Sequence, residues 1–452
     1  MNIIYIICHD LGRQLGCYGR GVRSPVLDRF AAEGVKFNRA FTSSAVCSPS
    51  RGCAMTGLHA HANGIVGLTH TGWRYYPHTK TIVDYFNEAG YTTIHCGLSH
   101  EGEEWDNSRY QYNFENSWDS ELAEHAVDQA IAMLKAERGK INRGGAKPFY
   151  MNIGFREVHG GTYKPDLNYE GFPGRVHQKY GGPVPDHEVR LPWFAPDKPE
   201  FRGVYAKFQA AIKYMDAQLG RLFRAIDTFG FRDDTLVVFT TDHGMQGMRA
   251  KGTMYDDGLE TALLMRLPAG MKNGWETGCL IQNIDYLPTL LDAFGIEKPA
   301  HLHGRSFWDL LRGGAYTPHE IIFSEWNCAT RPETYLPVRA ARTERWHCLV
   351  NFDPEKSRHH WLPHEITDAM IGSDPGNWPW PALTKPKGVK HELYDVINDP
   401  RECNNLADDP AHKKILDDLV EKIHAQIKAT NDFVLDKGCP PIPCDAAHPK
   451  WA

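Results

Sequence analysis

Several features are missing from this chain of 452 residues. No apolar run approaches the roughly 20 residues of a membrane-spanning helix, so a membrane partner is not expected. No basic run and no Lys/Arg stripe interleaved with aromatics occurs, and the formal charge is −6, so nucleic acid is not an expected partner either. The eleven cysteines are odd in number and show no metal-ligand pairing; Cys439 and Cys444 stand closest, and no N-x-S/T acceptor is present. A disulfide framework is therefore not expected. The opening "MNIIYII" has no basic n-region or cleavage site, which points to the cytoplasm as written, or to the periplasm if a leader preceded it. Repeats and low-complexity tracts are absent, and nothing reports on oligomeric state.

What is present is an alternation of buried strands and amphipathic helices. Apolar runs at 2–7, 91–96, 148–155 and 235–241 read as strands, and 24–34, 81–90, 123–137 and 208–226 read as helices. This alternation predicts an α/β protein with a large, mainly parallel sheet between helices. Residues 160–200, rich in Pro, Gly and Tyr, read as a long surface excursion of the kind that carries binding loops. Beyond about 335 the rhythm changes to short strands and one late helix. The expected division is a catalytic domain at 1–335 and a smaller α+β domain at 336–452.

In an open parallel sheet, ligands sit outside the carboxyl ends of the strands. The residues that follow the apolar runs are reactive types: His9 and Asp10, His100, His159, and Asp242 with His243. Any one of them could be a helix cap or a structural histidine. Four such coincidences at one sheet edge point to a site. Cys47, in "CSPSRG", precedes a proline suited to a first helical turn, which places it at a helix N-terminus where an anion can be held. A reactive thiol and a buried small hydrophobe are both open readings of it.

The order of these motifs resembles the type I sulfatases. "CSPSR" at 47–51 matches C-x-P-x-R, in which a separate enzyme oxidises the cysteine to formylglycine; "HDLG" at 9–12 stands where the family has D-D-x-G, and "TTDHG" at 240–244 is similar to its second metal motif. "KGTMYDDGLETALLMR" at 251–266 and "ELYDVINDPRECNNLADDP" at 392–410 resemble later family segments, so the resemblance spans nearly the whole chain. It implies an alkaline phosphatase-like fold and hydrolysis of a sulfate ester or sulfamate on a sulfated sugar. A formylglycine-generating or anaerobic sulfatase-maturating enzyme is implied as a partner. A divalent metal, calcium in the family, is implied at Asp10, Cys47 and Asp242, with His9 and His243 at the other two positions. In that scheme the hydrated aldehyde attacks sulfur and its second hydroxyl then releases sulfate. Arg51 would hold the hydrate, His100 accept its proton, and His159 and Lys251 face the sulfate and the leaving atom.

Two departures from the family pattern stand out. Leu98, in "GLSH", replaces a lysine that contacts sulfate, and His9 replaces an aspartate. Together they remove one positive and one negative group, which balances the pocket if His9 is neutral, and an imidazole ligand favours softer ions than calcium. Within the family, "TGLHAHANGIVGL" and "WFAPDKPEFR" look most like the N-sulfoglucosamine sulfohydrolase branch, where Glu157 would stand in place of an acidic residue able to recognise a sulfamate nitrogen. "RHHW" at 358–361 and "NWPWP" at 377–381 are candidates for a sugar-stacking wall. A phosphonate monoester or phosphodiester hydrolase of the same superfamily, and a glycan-binding homologue with impaired catalysis, are the alternatives.

Overall fold

The computed structural model describes residues 1–102, 109–115, 122–145, 147–159, 181–247, 249–328, 334–355 and 389–436. The proposed wall residues at 358–361 and 377–381, the pair Cys439 and Cys444, and most of the 160–200 excursion lie outside them.

Eight strands form the main sheet: β1 (Asn2–Cys8), β2 (Val35–Phe37), β3 (Thr92–Gly97), β4 (Tyr112–Glu115), β5 (Phe149–Phe155), β6 (Thr235–Thr241), β7 (Leu263–Arg266) and β8 (Trp275–Thr277). Their order is β8-β2-β7-β6-β1-β5-β3-β4, and only β7 runs antiparallel to its neighbours. The continuous β-branched and aromatic runs of β1, β5 and β6 are buried along their whole length, as central strands covered on both faces must be.

Alternate residues of β1 enter two separate cores. Ile4 and Ile6 pack with α1 (Pro25–Glu33), α5 (Ala123–Asn142) and α6 (Pro199–Thr228) on one face. Ile3, Tyr5 and Ile7 pack with α2 (Cys47–Thr56), α4 (Ile82–Glu88) and α7 (Tyr286–Ala293) on the other. A short helix, α3 (Ala60–Asn63), follows α2. The period-two alternation of a strand thus makes a three-layer α/β structure, as the sequence predicts.

A second, antiparallel sheet joins β9 (Ile321–Trp326), β10 (Val338–Thr343), β11 (Trp346–Asn351) and β12 (His391–Asp395) in that order. One face is covered by α8 (Lys413–Ala429), whose Leu416, Leu419, Ile423 and Ile427 recur at helical spacing against Ala341, Cys348 and Leu393. This sheet starts earlier in the chain than the expected boundary at 335. Its first strand pairs Ser324 with Ala340, so a cut at 335 would fall inside an antiparallel hairpin.

Candidate active site

The parallel register decides what meets at the sheet edge. Cys8 is level with Thr241 on one side and Phe155 on the other, and Gly97 is level with Gly154. Residues immediately after these strands therefore converge. The ladder continues beyond them, with His9 N donating to Glu157 O (3.1 Å) and Val158 N to His9 O (2.9 Å). Two glycines let β3 and β5 close up there: a Cβ on Gly154 would lie 1.7 Å from Leu98 O, and one on Gly97 would lie 2.2 Å from Gly154 O.

Asp242 is the hub. Its Oδ1 accepts from the backbone N of Asp10 (3.0 Å) and of His243 (2.9 Å), and its Oδ2 lies 3.0 Å from His9 Nδ1 and 3.3 Å from Arg51 Nε. Burial alone would raise this carboxyl; His243, His9 and Arg51 overcome it and hold the group well below the usual carboxylate range. Asp10, at φ 52°, faces Lys251, whose Nζ sits 2.9 and 2.8 Å from its two oxygens. Burial opposes ionisation of Asp10 as well, but His159, Lys251 and His243 bring it down to about 2. Burial also lowers His9, to about 4, with Arg51 acting in the same direction and Asp242 against it. His9 is thus neutral, the state that the charge balance with Leu98 requires.

Cys47 opens α2 and is 1% exposed, with Sγ 3.2 Å from His243 Nε2 and 3.8 Å from Asp10 Oδ1. His243 Nδ1 lies 2.8 Å from Gly244 O, which can only accept, so Nδ1 carries a hydrogen, and Nε2 faces Cys47. Burial pushes the thiol far above its ordinary value, outweighing Lys251 and Arg51 and aided by Asp10 and Asp242. Burial of an unmodified Cys47 thus works against the reactive-thiolate reading and with the buried-hydrophobe one. Arg51, one turn along α2 and thus on the same face, also donates Nη1 to Ser99 O (2.8 Å). The helix itself is pinned from outside, with Asn283 Nδ2 donating to Ser50 O (2.8 Å) and Ser50 Oγ to Asp242 O.

His159 Nε2 is 3.1 Å from Lys251 Nζ and 3.6 Å from Asp10 Oδ2. The His100 ring lies 5.3 Å from that of His9, and burial followed by His9, His70 and Arg51 holds it well below 6.5, so it is uncharged. His9, Asp10, His100, His159, Asp242, His243, Cys47, Arg51 and Lys251 thus form one cluster, buried except at His100 and His159, which are half-buried. Glu157 stands apart from it. Its Oε1 accepts from Ala123 N (3.1 Å) at the start of α5, and it is 4% exposed, which is the placement of a helix cap rather than of a sugar contact. Neither the sulfamate reading nor a solvated carboxylate matches that position. Two contributors have no signal in the sequence. His70, whose Nδ1 is 3.4 Å from His100 Nε2, lies in a three-residue turn, and Glu101, whose Oε2 is 3.9 Å from Arg51 Nη1, in an irregular segment, and no periodicity marks either.

Ligand atoms of His9, Asp10, Cys47 and Asp242 all lie within 4.8 Å of one another. Two ionised carboxylates, a neutral imidazole and the position-47 atom, all buried, fit a divalent cation. A large mixed sheet thus carries this donor set at its carboxyl edge, beside an independently pinned helix N-terminus.

A family model described as sulfatase matches residues 1–296, and one described as N-sulphoglucosamine sulphohydrolase, C-terminal, matches residues 244–365. The chain belongs to the sulfatase family, in its type I branch, and is a sulfuric ester hydrolase. It is 28% identical over 449 residues to an ulvan-active sulfatase of Formosa agariphila, covering 96% of this chain and 81% of that one. It is 25% identical over 469 residues to the human N-sulphoglucosamine sulphohydrolase, covering 93% and 89%. Its fold is shared with a phosphonate monoester hydrolase from Silicibacter pomeroyi, at a TM-score of 0.69 and 20% identity over 96% of both chains. Among the described residues, no helix is long and apolar enough to cross a membrane.

Proposed function

We propose that this enzyme removes sulfate, as ester or sulfamate, from a sulfated carbohydrate, using a formylglycine made from Cys47. The observation that carries the reading is the position of Cys47 at the mouth of α2, within 3.8 Å of both His243 Nε2 and Asp10 Oδ1 and one turn from Arg51. The two curated relatives, an ulvan-active sulfatase and an N-sulphoglucosamine sulphohydrolase, support a sugar as the substrate class.

Asp10, Asp242 and the position-47 oxygen would hold the metal, with His9 and His243 in the remaining places; calcium is the ion expected from the family. Bound there, a divalent cation would supply Lewis acidity to the position-47 oxygen and to the sulfate. Formylglycine would supply a paired-hydroxyl carbon that serine and cysteine lack. Arg51 orients position 47 and balances Asp242. Lys251 and His159, 3.1 Å apart, place positive charge and a transferable proton where the leaving oxygen or nitrogen departs. His100, being uncharged, can take a proton at a ring nitrogen. Because Cys47 is 1% exposed, a maturating enzyme would act before the chain closes around it.

Coexpression with a formylglycine-generating enzyme should give a residue-47 peptide with the mass of an aldehyde in place of a thiol, and Cys47→Ala should abolish sulfate release. Full turnover by Cys47→Ala would overturn the reading. Faster turnover of an aryl phosphodiester than of an aryl sulfate would favour the phosphonate hydrolase alternative instead.

A further inference from the structure

His70 lies in the turn Thr69–Thr71, exposed, at the edge of the site. Its ring centroid is 5.7 Å from that of His100 and the two planes differ by 13°. This separation matches the 3.4 Å between His70 Nδ1 and His100 Nε2 plus the two centroid-to-nitrogen radii. Both nitrogens therefore lie on the line joining the rings, which meet edge to edge in one plane. That is the arrangement of a linear N–H···N bond, in which one nitrogen donates and the other accepts, and not of stacked faces. The turn is fastened to the catalytic helix itself: Thr69 N donates to Ser48 Oγ (3.2 Å), next to Cys47. His100 sits outside regular structure, at φ 57°, and one of its nitrogens is within 4.8 Å of Cys47 Sγ.

We propose that His70 is a positioning residue: its Nδ1 accepts the Nε2–H of His100 and so fixes the tautomer that leaves a lone pair on His100 Nδ1 for residue 47. The hydrogen bond made by one imidazole nitrogen determines which nitrogen carries the proton, and the coplanar contact also fixes the ring's rotation about its side-chain bonds. The inference rests on the role given to His100 in the proposed function, and it adds the group that selects His100's reactive nitrogen.

The discriminating variants are His70→Leu, which removes the acceptor, and His70→Asn, whose Oδ1 takes the place of Nδ1. The first measurement uses the full chain with Cys47 unmodified and no added metal. Ring 15N shifts of His100, identified as the signals lost in His100→Gln, should report the Nε2–H tautomer in the parent and in His70→Asn, and a shift toward Nδ1–H in His70→Leu. In the matured enzyme, His70→Leu should lower kcat by about 10–100-fold with KM unchanged, and His70→Asn should recover most of the loss. An unchanged tautomer in His70→Leu, equal loss in both variants, or a raised KM with kcat intact would overturn the proposal, the last by making His70 a substrate contact. A missing aldehyde at residue 47 would instead bear on the formylglycine reading alone, since the tautomer is read without it.

Discussion

At the scale of single residues, the site is arranged around Asp242, whose two oxygens face the backbone N of Asp10 and His243 and the side chains of His9 and Arg51. Replacing it by Asn removes a charge and forces one amide hydrogen against a donor. His9→Ala removes one neutral donor. Calorimetric titration with Ca²⁺ should therefore show a larger loss of affinity in Asp242→Asn than in His9→Ala, and exhaustive chelation should abolish sulfate release until a divalent ion is restored. The reverse order of affinities would make His9 a principal ligand. Most of these residues are legible in the sequence because each is a reactive type directly after a buried strand. Glu157 follows a strand in the same way, yet its side chain turns to the start of α5. The residue type and its place in the chain do not carry that direction.

At the scale of elements, β1, β3, β5 and β6 are predictable from their apolar runs, and β6 begins and ends where the sequence places it. The close approach of β3 to β5 is not predictable from such runs. A methyl group on Gly154 would overlap the Leu98 carbonyl, so Gly154→Ala must push apart the segment that leads to His100. The expected cost is about 1–3 kcal/mol in the urea unfolding midpoint, typical of overpacking, together with a loss of sulfate release greater than the unfolded fraction explains. Parental activity in this variant would show that the approach has slack. β9 escapes a reading that places the small sheet after 335, because a strand of this length at a sheet edge has no partner identifiable from sequence until β10 folds back onto it.

At the scale of the whole molecule, the small sheet braces the large one through buried charge. His61, on α3, lies 2.5 Å from Glu325 on β9, and Arg339 on β10 grips Asp432, beyond α8, at 2.5 and 2.8 Å. A second brace joins Arg342 on β10 and His347 on β11 to Asp256 and Glu402, holding the segment that carries Lys251. Breaking one partner of a buried pair costs about 3–5 kcal/mol, so Asp432→Ala should show a loss of that order in chemical denaturation. The pH dependence has a definite sign. Burial works against protonation of His61, but Glu325, through charge and hydrogen bond, and then Asp432 raise it above 6.5. A raised folded value means that the contribution is fully present below the unfolded value of about 6.5 and is lost as pH rises from there through the higher folded value. Thermal midpoints should fall on the alkaline side, and Glu325→Gln should flatten the fall; a parallel curve would place the effect elsewhere.

The sequence by itself determines the α/β alternation, the family and the inner ring of the site, because strand burial, the order of the motifs and the residues at strand ends are local properties of the chain. Only the tertiary structure decides which way Glu157 points, that Cys47 loses its acidity to burial, that His70 meets His100 in one plane, and that the small sheet begins at Ile321. Each of these depends on what another segment, distant in sequence, places beside the residue, and neither desolvation nor hydrogen-bond direction is written in the residue's own neighbourhood.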